Sequence, residues 1–256
     1  LENPEPFSQQ LRRFPESQKS VIDAEVDKMK ADEFIQPSQS PFRSNVLLVP
    51  KKDGTTRFCV DFRALNAATK KDVYPLPRID ETLDCLGKSK FFTTLDLASG
   101  YWQVEMDESS KEKTAFATRK GLFEFTVMPF GLCNAPSTFQ RLMDLVLSGY
   151  QWDFCVVYLD DIVIFSSTFE DHLKHLKQVF DRIREANLTL KLSKCQFGRE
   201  EVPFLGHIVS KNGIKPDPQK IDSIVNWSTP RNKDDVSSFL GLAGYYRRFC
   251  RNFSEI

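Results

Sequence analysis

The sequence has no excess of either charge. Its 256 residues carry 35 lysines and arginines against 35 aspartates and glutamates. Proteins that bind nucleic acid are often basic overall, so we expect any site for a polyanion in this chain to be a local groove. Long apolar runs are also missing, since none approaches the roughly 18 residues of a membrane-spanning helix. The N-terminus does not resemble a signal peptide, and we expect no membrane partner.

Paired cysteines are absent as well. Six cysteines are scattered through the chain, without a CxxC pair, at positions 59, 85, 133, 155, 195 and 250. This spacing is not typical of a zinc site or a disulfide framework and favours a reduced, intracellular protein. Internal repeats and low-complexity segments are missing too. With 41% hydrophobic and 12% aromatic residues, the composition indicates a globular chain.

What is present is a mixture of helical and strand patterns, which predicts the α+β class. Helical spacing of apolar residues predicts helices at 16–35, 136–147, 169–186, 217–227 and 233–249. Apolar and alternating runs predict strands at 46–49, 57–62, 91–95, 113–118, 122–127, 154–157, 162–165, 188–192, 202–205 and 207–210. Residues 66–80, with two prolines, are typical of a loop.

The sequence Tyr-Leu-Asp-Asp at 158–161 is the strongest chemical signal. Apolar runs at 154–157 and 162–165 flank it, so we predict a hairpin with Asp160 and Asp161 at its tip. A solvated turn would hold the two acids cheaply, but it would not require such apolar flanks. Two like charges beside a buried strand need a cation. The pattern therefore indicates a divalent metal site, and a pair of magnesium ions bridged by carboxylates is the usual apparatus for nucleotide transfer.

Asp96 is the candidate for a third carboxylate, because it ends the predicted strand at 91–95. We expect Asp96 and Asp160 to bridge two Mg²⁺ ions, with Mn²⁺ as a possible substitute. The backbone carbonyl of Leu97 offers a further hard oxygen ligand.

The residues that follow suit a nucleotide. Ser99 and Gly100 are small, so backbone amides there can approach a triphosphate. Tyr101 is bulky enough to reject a 2′-hydroxyl by shape, and its alternative is ordinary core packing. His172 and His175 lie three residues apart on a predicted helix, but no partner pattern supports a metal site, so we predict surface histidines.

Three ordered segments resemble the motifs of reverse transcriptases: 95–103 (LDLASGYWQ), 128–136 (MPFGLCNAP) and 158–161 (YLDD). The segment 60–66 (VDFRALN) resembles the fingers motif. Downstream, 204–207 (FLGH) and 239–249 (FLGLAGYYRRF) are similar to the gypsy-type branch of long-terminal-repeat retrotransposons. The likeness extends over essentially the whole chain and implies a Pol polyprotein. Retroviral enzymes usually carry glutamine where this chain has Phe130, so one polar contact to the nucleotide is missing.

The resemblance implies a role for each matching residue. Catalysis would involve Asp96, Asp160, Asp161 and Lys194, with Lys194 either protonating the pyrophosphate leaving group or serving as a plain surface charge. Contacts to the incoming dNTP would come from Lys51, Arg57, Ser99, Gly100, Tyr101, Phe130 and Gly131. Contacts to template and primer would come from Asp61, Arg63, Tyr158, Leu205, Gly206 and His207.

The resemblance also implies a right-hand polymerase fold, in which helices flank an antiparallel palm sheet, the fingers are rich in strands and the thumb is small and helical. We expect fingers at 1–70 and 107–130, palm at 71–106 and 131–210, and thumb at 211–256, with the start of a connection missing. The implied function is RNA- and DNA-directed DNA synthesis on a primed RNA or DNA template.

The wider context is also an expectation. The chain begins at Leu1 and stops at Ile256, so we expect a piece of a larger polyprotein with protease, ribonuclease H and integrase, located in cytoplasmic virus-like particles. One alternative is a catalytically silent, transposon-derived module that only binds nucleic acid. Another palm polymerase, such as a viral RNA replicase, would typically carry Gly-Asp-Asp, which is absent here.

Overall fold

The computed structural model describes residues 5–50, 54, 56–87 and 89–255. The helices in this part of the chain are α1 (Glu16–Ala31), α2 (Arg63–Ala68), α3 (Ile79–Leu86), α4 (Glu108–Lys111), α5 (Ala135–Val146), α6 (Phe169–Glu185), α7 (Pro218–Val225) and α8 (Lys233–Tyr245). The strands are β1 (Ile35–Pro37), β2 (Val46–Pro50), β3 (Thr56–Val60), β4 (Phe91–Asp96), β5 (Phe116–Thr118), β6 (Gly121–Phe125), β7 (Cys155–Tyr158), β8 (Asp161–Ser166), β9 (Gln196–Arg199), β10 (Glu201–Phe204), β11 (His207–Ser210) and β12 (Gly213–Pro216). Short 3₁₀ helices include Gly100–Gln103 and Leu192–Lys194.

The chain folds into two compact units. The first unit comprises Leu1–Leu76, Leu97–Val146 and Asn187–Thr189, and the second comprises Pro77–Asp96, Leu147–Ala186 and Leu190–Ile256.

The first unit is built around a three-stranded antiparallel sheet in the order β1-β6-β5 and a β2-β3 hairpin. Helix α1 buries Ile22, Val26 and Met29, which share one face at helical spacing. Their partners in the same core include the phenylalanines of β5 and β6. Burial of this apolar surface is the main force that holds the unit together.

The second unit contains the four-stranded antiparallel sheet β7-β8-β4-β9 and the three-stranded sheet β10-β11-β12. Val156 on β7 and Val163 on β8 are fully buried and share one core with α3 and with β10 and β11. Because β4, β7 and β8 are buried, they read as continuous apolar runs rather than as alternating patterns. Helices α7 and α8 bury none of their residues fully.

Several predicted bounds were wrong. The first helix ends at Ala31, because Glu33 adopts a left-handed φ of 58°. The predicted loop 66–80 overlaps α2 at one end and α3 at the other. The predicted strand 188–192 does not form, since its alternating leucines lead into the 3₁₀ turn Leu192–Lys194. The predicted hairpin at 46–62 is confirmed, although its turn residues 51–53 lie outside the described residues. Among the described helices, none combines the length and the hydropathy that crossing a bilayer requires.

Candidate active site

The predicted acidic hairpin is present. Tyr158 on β7 pairs with Asp161 on β8, so Leu159 and Asp160 form a two-residue tip. Leu159 adopts a left-handed φ of 55°, an uncommon conformation for a residue with a branched side chain. Behind the tip, residues 155–157 of β7 and 162–166 of β8 are buried. The fold therefore carries two adjacent acids at the end of an apolar hairpin.

Asp96 joins this pair through the sheet. It ends β4 and lies directly opposite Asp161 in the antiparallel register with β8. The chain order alone does not require this, because the register is set by the pairing of apolar residues further along both strands. Lys194 approaches the same group, with its Nζ 2.9 Å from Oδ2 of Asp96. Leu97, the next residue, is buried.

Neighbouring acids raise the pKa of two of these carboxyl groups, Asp160 and Asp161. Burial raises the pKa of Asp160, the charges of Asp161 and Asp96 raise it further, and Lys194 opposes the shift. Burial and Asp96 likewise raise the pKa of Asp161, again against Lys194. One oxygen of Asp160, Oδ1, is buried without a hydrogen-bond partner among the described residues. A buried carboxylate oxygen without a partner is costly, and a cation is the natural group to satisfy it.

The donor set suits magnesium better than a closed metal cage. No three His, Cys, Asp or Glu side chains within the described part of the chain are arranged to hold an ion by themselves. Mg²⁺ is usually held by one or two carboxylates, with water and substrate phosphates completing the octahedron. Asp96, Asp160 and Asp161 fit that pattern, because their oxygens are hard ligands, and two of them, Asp96 and Asp161, line a cavity.

That cavity has a volume of about 250 Å³. Its lining includes Asp96, Asp161 and Lys194, together with Leu205 and Gly206 of the β10-β11 turn. The predicted primer-holding turn and two of the three acids therefore line the same space within the second unit.

His207 follows this turn at the start of β11. It is 2% exposed, and its Nδ1 lies 2.8 Å from the carbonyl oxygen of Leu205. Burial lowers the pKa of His207, which favours a neutral ring that donates from Nδ1. Tyr158 is half-buried and packs on the same core as Leu205.

The first unit holds the residues predicted to contact the nucleotide. Ser99 adopts a left-handed φ of 53°, and Gly100 begins a 3₁₀ helix. Tyr101 is 9% exposed, and its ring centroid lies 5.1 Å from that of Phe130 and 5.3 Å from that of Phe139. Core packing and a role beside the sugar are both compatible with this position.

The other residues of the first unit that we predicted to contact the nucleotide differ in how firmly neighbouring groups fix their positions. Gly131 has a φ of 96°, and its carbonyl accepts a hydrogen bond from Asn66 at 2.8 Å. Arg57 lies exposed on β3, opposite Val49. Lys51, the other predicted phosphate ligand, lies outside the described residues.

Asp61 and Arg63 form a fixed pair. Asp61 is 5% exposed and accepts two hydrogen bonds from the guanidinium of Arg63, at 2.8 and 2.7 Å. Arg63 lowers the pKa of Asp61. Asp61 therefore stays ionised and fixes the orientation of the guanidinium of Arg63, a side chain that is otherwise exposed.

Two residues that support the motifs were not predicted. Gln103 binds the carbonyl of Ala98 at 2.8 Å and both backbone groups of Thr189, which fixes the loop before Tyr101. Asn66 holds the carbonyl of Gly131 and the amide of Cys133. The sequence signal for these roles is an amide side chain at the end of each of two motifs. An amide can donate to one backbone group and accept from another, so it can bridge two segments of backbone.

The prediction of surface histidines was wrong for His172. This residue is 0% exposed, with Nε2 2.8 Å from Oγ1 of Thr93 and Nδ1 3.0 Å from Oγ of Ser166. It thereby ties α6 to both β4 and β8. A histidine is tolerated in a core when both ring nitrogens find partners.

An antiparallel sheet with three carboxylates at one end, within a mixture of helices and strands, is the architecture expected of a right-hand polymerase fold. The family described as "Reverse transcriptase (RNA-dependent DNA polymerase)" matches residues 49–209. The chain belongs to this family.

Relatives and solved structures agree with this membership. The Pol polyprotein from transposon 297 of Drosophila melanogaster is 45% identical over 96% of this chain and 24% of its own length. The Pol polyprotein from transposon gypsy of the same organism is 44% identical over 92% of the chain and 23% of its length. The chain thus spans about a quarter of the length of these relatives.

A foamy viral protease-reverse transcriptase in complex with double-stranded DNA has a TM-score of 0.90 at 29% identity, over 99% of this chain and 44% of that one. The same enzyme with an RNA/DNA hybrid has a TM-score of 0.85 at 29% identity, over 98% and 34%. The predicted α+β polymerase fold is confirmed.

Proposed function

We propose that the chain is an RNA- and DNA-directed DNA polymerase, which adds nucleotides from dNTPs to a primer 3′-hydroxyl during reverse transcription of a retrotransposon. The observation that carries this proposal is the register of β4 and β8, because it brings Asp96 against the Asp160-Asp161 tip in a member of the reverse transcriptase family. The assignment of fingers, palm and thumb to the ranges given above belongs to the same proposal. So does a place in a Pol polyprotein, which the polyprotein relatives support. A location in cytoplasmic particles is also part of the proposal.

The acids would hold two Mg²⁺ ions, with Leu97 supplying a carbonyl. Bound there, the metal would activate the primer hydroxyl and neutralise charge on the triphosphate. A cation would satisfy the buried Oδ1 of Asp160, which has no hydrogen-bond partner among the described residues. Lys194 pairs with Asp96 and lines the same cavity, and from there it would donate a proton to the leaving group.

Substrate contacts follow the placement of the other residues. Arg57, Ser99, Gly100, Tyr101, Phe130 and Gly131 would contact the dNTP, and Lys51 is proposed from the sequence alone. Asp61, Arg63, Tyr158, Leu205, Gly206 and His207 would contact template or primer. Because duplex recognition would rest on phosphate contacts, we expect binding to weaken steeply with salt, despite the zero net charge of the chain.

Primer extension on RNA and DNA templates, with Mg²⁺ or Mn²⁺, tests the proposal. Wild type should extend the primer, and Asp96→Asn, Asp160→Asn and Asp161→Asn should each abolish extension without loss of template-primer binding. The matched control is Asp181→Asn on the exposed side of α6, where the carboxylate pairs only with Lys177 and Arg184 among the described residues. Near-normal extension by any of the three active-site variants would contradict the assignment. A wild-type chain that binds template-primer but extends nothing would support the silent nucleic-acid-binding module instead.

A further inference from the structure

The turn between β10 and β11 is held in a conformation that its sequence does not favour. Phe204 pairs with His207, so Leu205 and Gly206 form a two-residue turn. Both have positive φ, 45° and 70°. Such turns favour asparagine or aspartate followed by glycine, and leucine in the left-handed region is strained because its Cβ crowds the backbone. Strained residues persist where the surroundings determine their conformation.

Two consecutive tyrosines at the end of α8 supply that constraint. Tyr245 donates its hydroxyl to the carbonyl of Leu205 at 2.8 Å, and Tyr246 donates to the carbonyl of Gly206 at 3.0 Å. The carbonyl of Leu205 also faces Nδ1 of His207, at 2.8 Å. Both lone pairs of that oxygen are therefore engaged, which fixes the orientation of the peptide plane.

Aromatic packing surrounds the same contact. The ring of His207 lies 5.4 Å from those of Tyr245 and Tyr246 and 5.6 Å from that of Phe249. The two tyrosine rings are nearly perpendicular, at 85°, with centroids 4.9 Å apart. Burial raises the pKa of both tyrosines, so the hydroxyls stay protonated and able to donate.

Glycine is required at the contact for a steric reason as well as for its φ. A Cβ at position 206 would lie 2.8 Å from the hydroxyl oxygen of Tyr246, closer than real Cβ contacts. The turn and the tyrosine are therefore fitted to each other. The same turn lines the cavity that contains Asp96 and Asp161.

We propose that Tyr245 and Tyr246 are positioning residues, whose hydroxyls hold the Leu205-Gly206 turn in its left-handed form so that the primer terminus meets the acids. This inference rests on the proposed polymerase function. It assigns to the last turn of α8 a role in the rate of nucleotide addition, separate from any contact of that helix with the duplex.

The experiment compares Tyr245→Phe, Tyr246→Phe and the double variant with wild type in single-nucleotide extension of a primed DNA template. Each single variant should lose one hydrogen bond to the turn and slow kcat by about fivefold, and the double variant should lose more. The KM for dNTP and the affinity for template-primer should stay at wild-type values, because only the approach of the primer end is altered. The lost hydrogen bond should lower the melting temperature by no more than about 4 °C. Tyr150→Phe is the matched control, since its hydroxyl serves Arg182 within the same unit, away from the turn.

A double-mutant cycle with Gly206→Ala adds a readout specific to the contact. The added methyl group should slow kcat more in the wild-type background than in Tyr246→Phe, because the latter lacks the oxygen it would strike. Additive effects of the two substitutions on kcat would overturn the proposed positioning role of Tyr246. So would phenylalanine variants that extend at the wild-type rate, or that lose melting temperature, duplex affinity and rate together. A wild-type chain that extends no primer would overturn the proposed function itself, and this inference with it.

Discussion

Asp96 lies directly opposite Asp161 in the antiparallel pair of β4 and β8. Two carboxylates in a cross-strand pair repel each other, and Asp160 beside them has a buried oxygen without a partner among the described residues. The sheet thus holds an unfavourable cluster of charge at one end. A site that stores such repulsion is suited to binding cations. Two of the four predictions below concern this site, and the other two concern Tyr101 and His172.

The first concerns stability. Asp160→Asn should raise the free energy of unfolding by about 1 kcal/mol near neutral pH, because it removes a buried charge held beside two others. Folding raises the pKa of Asp160. At a pH above the folded-state pKa, the ionised side chain therefore lowers the stability of the protein. At a pH below the unfolded-state pKa, the side chain is protonated in both states and this destabilisation is absent. The gain should therefore shrink as the pH falls through the carboxyl range. Urea unfolding of wild type and variant at several pH values measures this. An equal gain in Asp181→Asn would contradict the local cause.

The second concerns Lys194. If it donates a proton to the leaving group, Lys194→Arg should slow extension by about 100-fold although the charge beside Asp96 is kept. If it only neutralises Asp96, the arginine variant should work nearly as well as wild type, and Lys194→Met should not. Single-turnover extension rates across a pH series distinguish the two roles, and the control is Lys191→Arg, an exposed lysine nearby.

The third concerns sugar selection. Tyr101→Ala should admit ribonucleotides by removing the ring between Phe130 and Phe139. Loss of a buried aromatic ring also destabilises the fold by about 3–5 kcal/mol, so the measurement is the ratio of kcat/KM for dNTP to that for rNTP, which reduced folding leaves unchanged. Tyr101→Phe keeps the ring and should keep the ratio. An unchanged ratio in Tyr101→Ala would assign this residue to core packing alone.

The fourth concerns His172. Burial first, and then the neighbouring His175, lower the pKa of His172 to about 4 from an ordinary value of 6.5. The unfolded chain takes up a proton first, so folding stability should fall as the pH drops from about 6.5 towards 4, by up to about 3 kcal/mol. His207, whose pKa is also lowered, acts in the same direction. Urea unfolding at pH 7 and pH 4 gives the loss of unfolding free energy between the two pH values, and this loss should be smaller in His172→Gln than in wild type. An equal loss in the two proteins would contradict the prediction.

Local patterns predicted much of the fold. The α1 face through Ile22, Val26 and Met29 and the apolar strands around Asp160 follow from spacing alone. The errors arose where contacts with a neighbouring element determined which residues are buried. Helix α6 shows this, because Leu173 is 52% exposed although the apolar spacing of the helix includes it, while His172, predicted at the surface, is buried. Periodicity identifies an apolar stripe but does not locate its edge when a polar residue finds buried partners.

The amino-acid sequence by itself determined the acidic hairpin, the likeness to reverse transcriptases and the identity of the three acids, because these depend on adjacent residues and ordered motifs. Only the tertiary structure decided that Asp96 faces Asp161, that Lys194 reaches Asp96 and that two tyrosines of α8 grip the Leu205-Gly206 turn. The physical reason is that strand pairing and side-chain contacts between distant segments depend on how the apolar faces of many elements pack together. No short stretch of sequence contains that information.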